Sequence, residues 1–255
     1  MYKILANTLF LGKKVIYLPS CHSTNEIAAE MLKKTEDFHG TIIITDFQTK
    51  GRGQTGNSWE SDYGKNLLFS ILLDTSIIPI NRQFQLNIAT SLGITDFMEE
   101  KLDTKLEIKW PNDIYYKGEK VGGILTSTSI RGGIMANAIV GIGLNINQES
   151  FSVKNCTSIS LIQNRLFNLG DIFSSLCVFL ENRYLQLLSQ KDDFLTTYYE
   201  RMYLYKKNHI YFDVNRGIYF KGIIQGIDAS GRLIVKEGER ELIFHLKEIE
   251  FKSPE

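Results

Sequence analysis

The sequence predicts an α+β fold: a mixed, mainly antiparallel sheet with helices packed on it, followed by a small C-terminal β-barrel. Three observations predict this. Apolar runs of strand length and segments of helical apolar period share residues 15 to 205. The turn signals Lys117–Gly118 and Arg131–Gly133 lie between consecutive strand runs, which requires hairpins there rather than crossovers. From Lys206 onward the chain changes to short alternating strands joined by tight turns. The 255 residues, 43% of them apolar, suffice for a large domain over 1–205 and a small one over 206–255, each with a core.

Taken in order, Ser23 and Glu26 have capping-box spacing, and Ile27, Ala28, Met31 and Leu32 follow at helical period, so a helix starts near residue 24. TIIITDF (41–47) and NLLFSILL (66–73) read as strands, joined by a glycine-rich stretch. Residues 81–102 carry Phe84, Ile88, Leu92, Phe97, Met98 and Leu102 at helical spacing, with Gly93 as the weak point. KLEIKW then leads through Pro111 into two strands about the Lys117–Gly118 turn, and Arg131–Gly133 turns the chain into IMANAIVGIGLNI, completing an antiparallel meander. Amphipathic helices follow from about Asp171 to Leu188 and Asp193 to Tyr203. HIYFDV, GIYFKGIIQGI, RLIVKE and RELIFHL, separated by NRG, DASG and EGE, have the size of a five-stranded barrel packed on the main domain.

Composition removes several function classes. Lysine plus arginine and aspartate plus glutamate each number 29, so the formal net charge is zero and no general field attracts nucleic acid or anionic lipid. Cys21, Cys156 and Cys177 are odd in number and far apart, which argues against a disulfide framework and a zinc site and fits a reducing cytoplasm. The N-terminal apolar run is broken by Asn7 and lacks a small-residue cleavage signal. The longest uncharged run, 132–148, is too short and too rich in Gly and Asn to span a bilayer.

Three motifs carry chemistry. In GRGQTGNSW (51–59), Gly51, Gly53 and Gly56 match G-x-G-x-x-G, but a strand follows where a dinucleotide site needs a helix, and no kinase companion motifs exist. Arg52 lies between two glycines, where an anion can reach backbone N–H groups and guanidinium together; a ligand-free hairpin is the alternative. In KWPND and the strand after it, Pro111 leaves Asn112 and Asp113 displayed at a turn. Lys120 there precedes Gly122 and Gly123, which suit close approach of a ligand or of another backbone. In GIGLNIN (141–147), alternation puts Gly141, Gly143, Asn145 and Asn147 on one face, smooth enough for a flat ring or for a helix.

Together STNE (23–26), Gln48 with GRGQTGNSW, KWPND (109–113), Lys120 with GGIL, and GIGLNIN resemble, in order and spacing, the biotin protein ligases, which biotinylate biotin-dependent carboxylases. The resemblance covers residues 15 to 150 by motif and the C-terminal end by size and pattern. It implies a catalytic domain of the class II aminoacyl-tRNA-synthetase-like kind with an SH3-like barrel. It also implies two half-reactions: biotin and Mg-ATP give biotinyl-5′-AMP and pyrophosphate, and a lysine of a biotin carboxyl carrier domain then attacks the mixed anhydride. By the same resemblance Ser23, Thr24, Asn25 and Gln48 contact the ureido head of biotin. Gly51, Gly53, Gln54 and Thr55 close over it, and Gly123 borders biotin and the nucleotide side. Arg52, Trp59, Asn112 and Asn145 serve ATP or the adenylate. Lys120 bridges biotin carboxylate and α-phosphate, Asp113 orients the incoming lysine, and Lys120, Arg52 and Asp113 form the catalytic set. Mg²⁺ enters with ATP rather than in a protein metal site. The expected partner is the carrier domain, not nucleic acid or membrane, with a homodimer left open.

Two departures matter. Many relatives carry further arginines in the glycine-rich loop, whereas this chain has Gln54, Thr55 and Asn57, so biotinyl-AMP is expected to escape more readily. Only 22 residues precede the STN motif, too few for the N-terminal helix-turn-helix domain of repressor-type relatives, so a monofunctional ligase is expected. The alternatives are a lipoate-protein ligase-like acyl-adenylating enzyme, a non-catalytic binding module, against which Lys120 and Arg52 argue, and a DNA-binding regulator, disfavoured by zero net charge.

Overall fold

A computed structural model describes residue 2 and residues 7–189 and 194–252, apart from the side chain of Thr55. The first sheet is built from β1 (Val15–Leu18), β2 (Ile42–Thr45), β3 (Leu67–Asp74), β4 (Glu107–Lys109), β5 (Asp113–Tyr116), β6 (Glu119–Arg131) and β7 (Ile134–Leu144), in the order β1-β2-β3-β7-β6-β5-β4. Helix α1 (Thr24–Leu32) crosses between β1 and β2, which makes that pair parallel; every other pair is antiparallel. The expected meander runs from β4 to β7. Its turns place Lys117, Gly118, Gly132 and Gly133 at positive φ, the two-residue hairpin geometry that matches strand twist.

Both faces of the sheet are covered. Ile43, Leu72 and Ile139 meet Ala28 of α1, whereas Ile42, Ile44, Phe69 and Val140 face the main core with α2 (Gln83–Leu102) and α4 (Leu169–Ser189). This explains why β2 is a continuous IIIT run rather than an alternating one. Gly93 is where α2 meets α4: a Cβ there would lie 3.1 Å from Leu180 Cα, so the glycine permits helix contact rather than weakening the helix without return. Two short helices, α3 (Ile159–Gln163) and α5 (Phe194–Glu200), complete this part; the expected helix start at Asp193 lies outside the described residues.

The second sheet holds β8 (Asn208–Asp213), β9 (Ile218–Ile227), β10 (Leu233–Glu237), β11 (Arg240–Phe244) and β12 (Ile249–Phe251) in the order β11-β10-β9-β8-β12. Among the described residues no pairing joins β11 to β12, so the five strands form an open antiparallel sheet where closure was expected. It docks on the first: Trp110 Nε1 donates to Gly231 O at 2.9 Å, and a Cβ on Gly231 would lie 2.2 Å from the Phe84 ring. Sequence reading missed β1, α3 and β12, each too short to show a period. The capping box is also not made. Ser23 sits at the N-cap in extended conformation without a side-chain cap bond, and the Glu26 carboxylate is engaged by His22 and Arg52.

Candidate active site

A cavity of about 760 Å³ opens between the first sheet and β12. Of the residues expected at a site, Ser23, Thr24, Asn25, Gln48, Arg52, Gly53, Gln54, Trp59, Asn112, Asp113, Lys120 and Gly123 all line it. Gly51 and Asn145 do not, and the Thr55 side chain lies outside the described residues. Gly51 forms the base of the loop, where Trp59 N donates to its carbonyl at 3.0 Å and a Cβ would lie 2.4 Å from Trp59 O. Asn145 misses the cavity because β7 ends at Leu144 and the alternation lapses there; its Nδ2 donates instead to Thr157 O at 3.1 Å.

One end of the cavity is a hydrogen-bonding cup at the start of α1. Gln48 Oε1 accepts from Thr24 N (2.8 Å) and from Thr24 Oγ1 (3.2 Å), and Asn25 Nδ2 donates to Leu125 O (3.2 Å). Buried Ser70 donates to Asn25 Oδ1 at 2.5 Å, and its oxygen lies 2.7 Å from Thr24 Oγ1. Gly141 makes room for this cup, since a Cβ there would lie 2.1 Å from Asn25 Oδ1. Such neutral donors and acceptors suit a neutral polar head in a partly apolar pocket.

The other end is charged, and strand register explains it. Lys109 pairs with Asp113, Asp113 with Gly123, and Gly123 with Gly143, so four residues form one row on one face. Trp59 lies over the two glycines, 2.6 Å from where a Gly143 Cβ would stand and 3.3 Å from that of Gly123. The flat ring that this smooth face accepts is therefore the protein's own. A bulge follows: Ile114 pairs with Gly122, but Tyr115 pairs with Lys120. The extra residue, Val121, is fully buried, and its insertion turns Lys120 onto the cavity face. There Lys120 Nζ is 2.7 Å from Asp113 Oδ1 and 5.6 Å from the Trp59 ring. Gly122 is explained by packing, since a Cβ would lie 2.4 Å from Leu144 Cδ2.

Asn112 holds the turn in place by donating to Ile124 O, and Asn87 Nδ2 donates to Pro111 O at 2.6 Å. Arg52, 62% exposed, pairs with Glu26, whose other oxygen is 3.2 Å from His22 Nε2. Trp59 Nε1 is buried without a partner among the described residues, which leaves a donor at the cavity wall.

Sequence reasoning gave no role to Ser70, Lys109 or β12. Ser70 had a signal, a lone hydroxyl in NLLFSILL. Lys109 donates to Tyr115 OH at 3.0 Å and lies over the Tyr115 and Phe251 rings at 4.7 and 5.1 Å. Burial pushes its pKa below the ordinary lysine value, with Asp113 opposing. Ile249, Glu250 and Phe251 wall the cavity through tertiary docking alone. Burial likewise raises the thiol pKa of Cys156, which bridges to Lys120 through backbone, while Lys120 opposes. Among the described residues no group of three or more His, Cys, Asp or Glu is placed to hold a metal, and no helix is long and apolar enough to cross a membrane.

This architecture is that of the biotin protein ligases: the solved structure of biotin protein ligase from Aquifex aeolicus in complex with biotin and ATP matches 95% of this chain and 100% of its own with a TM-score of 0.78, at 24% identity, a likeness of fold. The model of the biotin/lipoate A/B protein ligase family matches residues 17–145, and that of the biotin protein ligase C-terminal domain matches residues 214–250. The chain belongs to the biotin/lipoate A/B protein ligase family. Among curated relatives, the bifunctional ligase/repressor BirA of Bacillus spizizenii is 29% identical over 69% of this chain and 55% of its own length. That of Bacillus subtilis is 27% identical over 91% and 72%. The chain thus spans little more than half the length of the first of these relatives.

Proposed function

We propose that this chain is an ATP-dependent biotin protein ligase, which makes biotinyl-5′-AMP and transfers biotin to a lysine of a biotin carboxyl carrier domain. One observation carries the proposal: Arg52 and Lys120, from two separate hairpins, line one cavity together with the Thr24, Asn25 and Gln48 cup. Biotin would seat its ureido head in the cup and extend its carboxylate to Lys120. The carboxylate oxygen attacks the α-phosphorus of ATP and pyrophosphate departs with the electron pair of the broken P–O bond. Lys120, a compact cation, neutralises charge building on the phosphoryl oxygens. Holding both reactants in one cleft contributes roughly 7–11 kcal/mol of positioning.

In the second half-reaction the carrier lysine, having shed its ammonium proton, attacks the acyl carbon. The bond from that carbon to the phosphate oxygen breaks, AMP leaves, the amide forms, and the nitrogen's second proton passes to solvent. Asp113 keeps one oxygen on Lys120 and orients the amine with the other. Trp59 and Asn112 border the nucleotide, and Mg²⁺ arrives bound to its phosphates, which one or two carboxylates suffice to hold. The two sheets act as two domains meeting near residue 205, with β12 as the wall the second lends to the cavity. Three free cysteines fit a reducing cytoplasm as the site of action.

The match at the C-terminal end favours biotin over lipoate. Incubation with Mg-ATP, a purified carrier domain and either acid tests this. Biotin-dependent pyrophosphate release and a streptavidin-positive carrier are expected, and release driven by lipoate alone would refute the assignment.

A further inference from the structure

Arg52 is the one arginine of the glycine-rich loop, and its guanidinium is spent on Glu26. The stem of the loop needs no such tie. Thr49 N and Lys50 N donate to Cys21 O and His22 O at 2.9 Å each, and Gly53 N donates to Asn57 O at 2.7 Å, so backbone bonds already fasten the hairpin. Glu26 lies in the first turn of α1, outside the cavity lining, whereas Arg52 lines it. A carboxylate and a phosphate oxygen compete for the same guanidinium N–H groups. Glu26 also has a second partner: its other oxygen is 3.2 Å from Nε2 of His22, four residues earlier, which would stay beside the carboxylate on an inward turn of Arg52. The exchange therefore leaves no carboxylate stranded. It is also cheap, because ion pairs as exposed as this one are weak.

Resting on the functional reading above, we propose that Glu26 is a counter-charge that competes with the bound adenylate for Arg52 and so sets how long biotinyl-AMP is retained. Lys120 has no equivalent escape route, because its partner Asp113 lies within the same cavity. In a loop whose neighbouring residues Gln54, Thr55 and Asn57 carry no charge, this one contest controls the electrostatic grip of the loop.

The test forms biotinyl-AMP on the enzyme from labelled biotin and Mg-ATP, adds excess unlabelled biotin, and follows label release without acceptor. Glu26→Gln and Glu26→Ala are each expected to slow release about threefold, the scale of one exposed ion pair. Neither is expected to do so in an Arg52→Ala background, a loss of effect that a merely structural role for Glu26 would not produce. Unchanged or faster release from Glu26→Gln and Glu26→Ala, or the same slowing with and without Arg52, would overturn the proposal. Absence of any adenylate from the unsubstituted chain would instead overturn the functional reading, and this proposal with it.

Discussion

The two cations of the site are held in opposite ways. Lys120 is 28% exposed, turned inward by a strand bulge, with its ammonium on Asp113 and 5.6 Å from the Trp59 ring. Arg52 is 62% exposed, on a hairpin of nine residues whose tip is a short 3-10 turn, Gln54–Gly56, and its charge rests on a carboxylate outside the cavity. A group on a wide sheet keeps its position through the reaction, whereas one on a small hairpin can move. Under the function proposed above, the contrast puts bond making on the sheet and retention of the intermediate on the loop.

The largest expected effect is on the sheet side. Lys120→Ala should lower biotin-dependent ATP–pyrophosphate exchange about 10²–10³-fold, the scale of losing one electrostatic stabiliser, while thermal unfolding stays near that of the parent. Near-parental exchange would break the comparison at its stronger half. Next, Gly143→Ala drives a Cβ into the Trp59 ring that joins loop to sheet. It should destabilise by about 1–3 kcal/mol in denaturant titrations, with loss of exchange activity; an unaltered midpoint would mean the ring is not seated there.

Arg52→Ala should have a smaller effect on exchange, about fivefold, and a clear one on retention, with faster release of labelled biotinyl-AMP. If exchange falls as far as for Lys120→Ala, the division between sheet and loop is wrong. The smallest effect concerns Lys109. Its folded-state pKa lies below the ordinary 10.5, so the unfolded chain binds its proton more readily, and stability rises as pH climbs from the folded value towards 10.5. The melting temperature should therefore gain more over that alkaline range in the parent than in Lys109→Met, as read by pH-resolved thermal scans. Parallel curves would remove Lys109 from the charged row.

Much of this was legible in the sequence, for stated reasons. The helix from residue 24, the long helix to Leu102 and the meander follow from apolar period and from Gly at turn positions that need positive φ. β1, α3 and β12 are too short to carry a period. The pairing of β7 with β3, across a helix and three strands, has no local signal. At the site, the cup residues were named through the family resemblance and the two cations through their glycine-rich surroundings, but the bulge that orients Lys120 depends on the partner strand. The alternation read through GIGLNIN runs one residue past the end of β7, and Asn145 does not line the cavity. Ser23 stands at the N-cap as its spacing suggests, but its side chain makes no cap bond and lines the cavity.

A crystal structure after soaking with biotin and Mg-ATP tests the central claim most directly. The account predicts one adduct in the cavity, with its acyl-phosphate oxygens within hydrogen-bond reach of Lys120 Nζ and the Arg52 guanidinium turned from Glu26 towards the phosphate. Ligand bound elsewhere, with Lys120 and Arg52 both still on their carboxylates, would contradict it.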